Sequence, residues 1–147
     1  MAADHNVHCV LCQEAGGLSV WQGAQLRVIR AQEAGFPAFY RVIWSAHAAE
    51  MSDLSDVDRN TCMAVVTEVE RVIRAQLAPT KINLAALGNM VPHLHWHVIA
   101  RYDWDSHFPA SVWASPLRER DLPREAQLQQ ELAACDAAIA EALARWA

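Results

Sequence analysis

Residues 93 to 101 read His-Leu-His-Trp-His-Val-Ile-Ala-Arg, with a histidine at every second position and apolar residues between them. Side chains of a β-strand alternate between its two faces. The pattern therefore predicts a strand that turns His93, His95 and His97 one way and Leu94, Trp96 and Val98 the other, into a core. The chain holds 7 histidines in all, so three on one strand face is a marked concentration. Three titratable rings suit a buried layer badly. They suit a reactive or ligating surface, because imidazole serves as nucleophile, proton carrier or metal ligand near neutral pH.

The rest of the composition sets limits. At 147 residues one domain is expected, with enough length for a real core. The net charge of −5 argues against a broad nucleic-acid surface, which is normally basic, and leaves room for a local phosphate site. No apolar run reaches the roughly 18 to 20 residues that cross a bilayer. Residues 1 to 5 lack the basic and apolar regions of a secretory signal, so a cytoplasmic location is expected. In a reducing compartment the Cys9-Val10-Leu11-Cys12 pair reads as a metal-binding or structural thiol pair rather than a disulfide.

Turn signals at Gly16-Gly17 and Gly23 bracket two short strands, at 18–21 and 26–29. Gly35 and Pro37 introduce a third at 39–44, rich in aromatic and β-branched residues. Ser52 or Ser55 is placed to cap a helix running to about Leu77. Its apolar stripe comprises Val57, Thr61, Val65, Val69, Val72 and Leu77, and Pro79 ends it. A fourth strand at 81–87 and a Gly88-Asn89 turn precede the histidine strand at 93–102. Residues 103–120, with Pro109, Pro116 and several aromatics, read as an ordered loop. Pro123 suits a first helical turn, and Leu128, Leu132, Cys135, Ile139 and Leu143 make one amphipathic helix ending near Trp146. The order predicts an α+β domain: a five-stranded antiparallel sheet, a long helix between strands three and four, and a C-terminal helix.

The segment Gly-Asn-Met-Val-Pro-His-Leu-His-Trp-His-Val-Ile-Ala-Arg, residues 88–101, resembles the signature of the histidine triad (HIT) family, His-φ-His-φ-His-φ-φ with φ apolar. The Gly-Asn turn, the trailing Arg101 and the upstream strand-helix-strand order extend the likeness over about residues 9–102, leaving 103–147 as an extension. The resemblance implies a nucleotidyl hydrolase or transferase acting at an α-phosphate, without a catalytic metal. The substrates it implies are AMP-X compounds or dinucleoside polyphosphates. It assigns the nucleophile to His95, phosphate bonding and proton traffic to His97, and a supporting role to His93. It also implies Asn83 and Asn89 as substrate-binding amides, and a homodimer.

The chain departs from the family pattern in three places. Many members carry a fourth histidine on the third strand, eight residues before another; counting back from His47 lands on Phe39. Arg41 lies two residues on, on the same strand face, and is expected to supply the positive charge in its stead. Met90 stands where several relatives have a hydroxyl able to protonate a leaving amine or alkoxide, which favours a good leaving group. The acidic residue that commonly holds the ribose aligns near Ala31, with Gln32 and Glu33 close by. Some bacterial relatives also bind structural zinc through a Cys-x-x-Cys pair, the histidine after the third strand and the first triad histidine. Here those are Cys9, Cys12, His47 and His93, a set suited to a closed tetrahedral site. Trp44 and Trp96 are expected in the core. Trp104, His107, Phe108 and Trp113 fall in a loop able to close over substrate, with His107 solvated. Two rival readings stand beside the enzyme: a nucleotide-binding regulator with little turnover, and a metalloprotein ligated by His93, His95 and His97 together.

Overall fold

The period-two pattern is realised in the central part of the sheet. The computed structural model describes residues 5–147. A short helix α1 (Val10–Gln13) leads into β1 (Leu18–Gln22), β2 (Leu26–Arg30) and β3 (Phe39–Trp44). Then come helix α2 (Asp56–Leu77), β4 (Lys81–Ala85) and β5 (His95–Arg101), followed by helices α3 (Leu122–Gln129) and α4 (Leu132–Ala142). The five strands form one sheet in the order β1-β2-β3-β5-β4, and every neighbouring pair is antiparallel. This is the α+β arrangement expected from the sequence.

The two sheet faces are covered differently. On one, Val28, Tyr40, Val42 and Val98 pack with Cys62, Val65, Val69 and Ile73 of α2 and with Leu132, Cys135 and Ile139 of α4. Ser55 caps α2, its hydroxyl accepting the Asp58 N–H at 3.1 Å. On the other face, Ile29 and Ile43 lie under Cys9 and Leu11 of the N-terminal segment. Farther along, Ala31, Phe39 and Ile99 meet Phe36 and Val112. Between these two apolar patches the second face is left to polar side chains.

Four expectations need correction. The fifth strand begins at His95, not His93. The Leu94 N–H turns to the Ala48 carbonyl at 2.7 Å, which takes the chain out of the ladder just after Pro92. The fourth strand ends at Ala85 rather than Leu87. Val57 is 73% exposed, and the buried stripe of α2 runs through Cys62, Val65, Val66, Val69, Ile73 and Leu77. The C-terminal helix is broken into α3 and α4. The N–H groups of Gln130 and Glu131 bond back three residues, to Gln127 and Leu128, and this tighter turn redirects the chain. All five residues of the predicted stripe are nevertheless buried.

No helix among the described residues is long and apolar enough to cross a membrane.

Candidate functional site

Antiparallel register brings the site together. Ile43 pairs with His95, Arg41 with His97 and Phe39 with Ile99, so alternate residues of β3 stand beside alternate residues of β5 on one face. His95, His97 and Arg41 line a cavity of about 800 Å³, closed by the 87–91 turn, the 10–17 segment and Trp113. Asn89 of the turn also lines it. Gly16 and Gly17 let the N-terminal segment lie close against the sheet: a Cβ on Gly17 would stand 2.7 Å from the Arg30 carbonyl oxygen. Arg27 pins that segment, its Nη2 donating to the Leu11 carbonyl at 2.7 Å and the Glu14 carbonyl at 3.0 Å.

The tautomer of His95 follows from its one backbone partner. Its Nδ1 stands 2.6 Å from the His93 carbonyl oxygen, which can only accept, so Nδ1 carries the proton and the Nε2 lone pair is free. Burial lowers the pKa of His95 below its ordinary 6.5, and repulsion from Arg41 adds to this against the opposing pull of the His93 carbonyl. At pH 7 the ring is therefore neutral, and its Nε2 lone pair is chemically able to attack an electrophile.

His97 is buried, with its ring edge-on to Phe39 at 5.5 Å, to Trp113 at 5.1 Å and to His95 at 5.0 Å. Burial, then the neighbouring His95 and Arg41, push its pKa down to about 4. Its Nδ1 accepts from Arg41 Nε at 3.4 Å, so the neutral ring carries its proton on Nε2. The lasting positive charge of the cavity is Arg41, steadied by Glu33 at 3.5 Å and by the Phe39 ring 5.4 Å away. Phe39 thus occupies the edge of His97 where the sequence lacks a fourth histidine.

His93 belongs to a different group. Its Nε2 lies 2.6 Å from the Trp44 carbonyl and donates to it, which frees Nδ1 to face Cys9 Sγ at 3.3 Å and Cys12 Sγ at 3.5 Å. His47 Nδ1 approaches Cys12 Sγ at 3.5 Å, and the four ligand atoms lie within 4.8 Å of one another. A tetrahedral zinc site with bonds of about 2.3 Å to sulfur and 2.0–2.1 Å to nitrogen has sulfur–nitrogen edges of about 3.5 Å. These spacings match that geometry, and the Trp44 carbonyl supplies the outer hydrogen bond that orients a ligating histidine. Cys9, Cys12, His47 and His93 can hold a metal ion. Among the described residues, His95 and His97 belong to no such group.

Asn83 lies elsewhere. It sits on the histidine face, but its Oδ1 accepts from Arg101 Nη1 at 2.9 Å, and it does not line the cavity. Arg101 is fully buried and also donates to Asp105 through Nε at 2.9 Å and Nη2 at 3.1 Å, and to the Ala110 carbonyl at 2.8 Å. This network fastens the 103–120 loop that carries Trp113. Sequence reading gave Arg101 only as the residue trailing the triad. Its one available signal was a charged residue on the alternating face, four positions before an aspartate. His107 has its Nδ1 2.8 Å from the Ser106 hydroxyl and packs on Phe36, away from the cavity.

Residues 14–104 match the profile described as the HIT domain. No curated protein matches the chain. A histidine triad protein from Bradyrhizobium japonicum is 27% identical and superposes with a TM-score of 0.68, over 89% of this chain and 97% of that one. A histidine triad protein from Marinobacter aquaeolei is 24% identical, with a TM-score of 0.63 over 82% and 92% of the two chains. A Zn-bound histidine triad family protein from Mycobacterium smegmatis is 21% identical, with a TM-score of 0.59 over 88% and 96%. At those identities the last two show the fold alone.

Proposed function

Because the chain belongs to the HIT family, we propose that it cleaves nucleotides at the α-phosphate through a covalent nucleotidyl intermediate on His95. The substrates are AMP-X compounds or dinucleoside polyphosphates, with diadenosine polyphosphates among them. The observation that carries the reading is the His95 ring, with its proton fixed toward the His93 carbonyl and its free Nε2 in a cavity that also holds Arg41. Nε2 attacks phosphorus as the leaving group departs with its electron pair. The proton stays on Nδ1 and is donated to the His93 carbonyl, which steadies the positive charge that forms on the ring. Water then attacks the phosphorus and the P–N bond breaks. His97 offers its Nε2 proton to a phosphate oxygen, and the Asn89 turn offers amide donors. The working unit is a homodimer. Trapping with an AMP-X substrate and acid quench, followed by peptide mass analysis, should find a nucleotidyl group on the peptide containing His95. An unmodified peptide during turnover would refute the mechanism.

Arg41 takes the place of the missing histidine as the positive partner of the phosphate. Arg41→Ala should lower kcat/KM about 100-fold, the scale of removing one transition-state donor. Arg41→Lys should fall between that variant and wild type, because it keeps the charge but loses the Nε bond to His97. Unchanged rates in both would sink this role.

Zinc is held by Cys9, Cys12, His47 and His93. It does no chemistry on substrate; it fixes the N-terminal wall of the cavity and the His93 backbone on which His95 rests. Protein purified without chelator should contain one zinc per chain by elemental analysis. Cys9→Ser with Cys12→Ser should abolish it and lower Tm. A full zinc complement in that double variant would place the metal elsewhere.

A further inference from the structure

The turn that carries Cys9 and Cys12 is also a wall of the cavity beside His95. Val10 and Leu11, the two residues between the thiols, line that cavity, and so do the residues from Glu14 to Gly17 just beyond them. Arg27 holds the wall by the Leu11 and Glu14 carbonyls, and Cys9 and Leu11 are buried together against Ile29 and Ile43. A change at the thiols therefore reaches the wall directly.

The pair is placed for bridging. The Cys12 N–H donates to the Cys9 carbonyl at 3.1 Å, so both residues sit on one tight turn. Both sulfurs face a single atom, His93 Nδ1, and they stand no more than 4.8 Å apart. A disulfide needs about 2.05 Å between its sulfurs. Rotation of the two side chains with a small shift of the turn closes that gap, and no distant element has to move. Two cysteines separated by two residues are also the usual spacing of a dithiol that cycles with its disulfide.

Access singles out the same pair. All four cysteines are free. Cys62 and Cys135 are 1% and 0% exposed, inside the core between sheet and helices, whereas Cys12 is only half-buried. A dissolved oxidant meets Cys12 first, and Cys9 stands behind it as the resolving thiol.

We propose that Cys9 and Cys12 form a redox switch, in which a hydroperoxide converts the dithiolate to a disulfide, releases the metal ion and disables the site around His95. Its effect on rate rests on the nucleotidyl-transfer reading above. A metal ion held by the pair keeps both sulfurs as thiolates, the form that reacts with peroxides. The Cys12 thiolate attacks one peroxide oxygen, the O–O bond breaks and hydroxide leaves. The Cys9 thiolate then attacks the Cys12 sulfur, the S–S bond forms and a second hydroxide leaves. Two electrons pass from sulfur to peroxide, and two protons from solution turn the hydroxides into water. A dithiol reverses the change by exchange. In the oxidised form His93 loses its partners at Nδ1 and keeps only the Trp44 carbonyl at Nε2. The wall at 10–17 shifts with the turn, and the His93 carbonyl that fixes the His95 proton loses its support from the thiol side.

The test exposes the zinc-loaded full chain to hydrogen peroxide, then to dithiothreitol with zinc. The peptide holding Cys9 and Cys12 should become lighter by two hydrogens, and one zinc per chain should appear in a chromogenic chelator. The His95 Nδ1–H resonance should shift. The kcat/KM for diadenosine tetraphosphate should fall about 10- to 100-fold, the scale of displacing a reacting geometry by about an ångström. Dithiothreitol with zinc should restore all four. Because Cys12→Ser also removes a metal ligand, the mass map of the wild type identifies the thiols. Thiols that survive peroxide with zinc in place overturn the switch. So does a disulfide that leaves the His95 resonance and the rate unchanged, or a loss that dithiothreitol with zinc does not reverse. If untreated protein turns over neither the tetraphosphate nor adenosine phosphoramidate, the nucleotidyl-transfer reading falls. The switch is then judged by the disulfide, the released zinc and the His95 resonance alone.

Discussion

His95→Ala is expected to lower kcat/KM by about 10⁴-fold or more, because it removes the atom that forms the covalent intermediate rather than a group that assists it. The His95 ring is only half-buried and its one hydrogen bond is to a backbone carbonyl, so the fold should survive. The measurement is steady-state turnover beside a thermal melt. A loss below tenfold with an unchanged melt would show that another group attacks phosphorus. The pH profile carries the same assignment. Protonating Nε2 destroys the nucleophile, so kcat/KM must fall on the acid side. With the His95 pKa held below 6.5 by burial first and Arg41 second, the plateau should extend from neutral pH down past 6.5 before that fall begins. An acid limb centred above 6.5 would contradict the environment of the ring.

Why was the centre of this site legible and its walls less so? The triad is a local pattern. Period-two alternation alone turns His95 and His97 one way and Val98 the other, and the register with β3 then delivers Arg41 beside His97 and Phe39 beyond it. Cys9, Cys12, His47 and His93 converge although their positions span much of the chain, and only the family resemblance drew them together beforehand. His93 shows where alternation stops being a guide. It shares the spacing but not the strand, because Leu94 bonds to Ala48, and it works with the thiols instead. Nothing local in the sequence points Trp113 at His97 or seats residues 10–17 against the sheet. Those placements depend on Arg27 collecting loop carbonyls and on Arg101 reaching Asp105, and such contacts have no period. The break between α3 and α4 was hidden for a related reason, since the same five apolar residues are buried on either side of it.

Asp105→Ala is expected to destabilise the protein by about 3–5 kcal/mol, the cost of stripping a buried ion of its partner. Arg101 and Asp105 are 1% and 3% exposed, so the orphaned guanidinium would have no water to turn to. The same carboxylate accepts the N–H groups of His107 at 3.0 Å and Phe108 at 2.7 Å, so the loss also frees the start of the loop that holds Trp113 against His97. Urea denaturation at pH 7 measures the first effect, and kcat/KM of the folded fraction measures the second. Burial by itself would raise the Asp105 carboxyl, but Arg101 and the backbone donors outweigh it and hold the pKa below its ordinary value. A depressed carboxylate contributes stability above its unfolded pKa of about 3.9 and loses it as pH falls through the folded value. Asp105→Asn keeps the shape and removes the charge. Its deficit against wild type should therefore be full at pH 7 and shrink as pH falls below about 4. A deficit independent of pH would mean that the loop is held by packing and by neutral hydrogen bonds, with the buried charge pair contributing nothing.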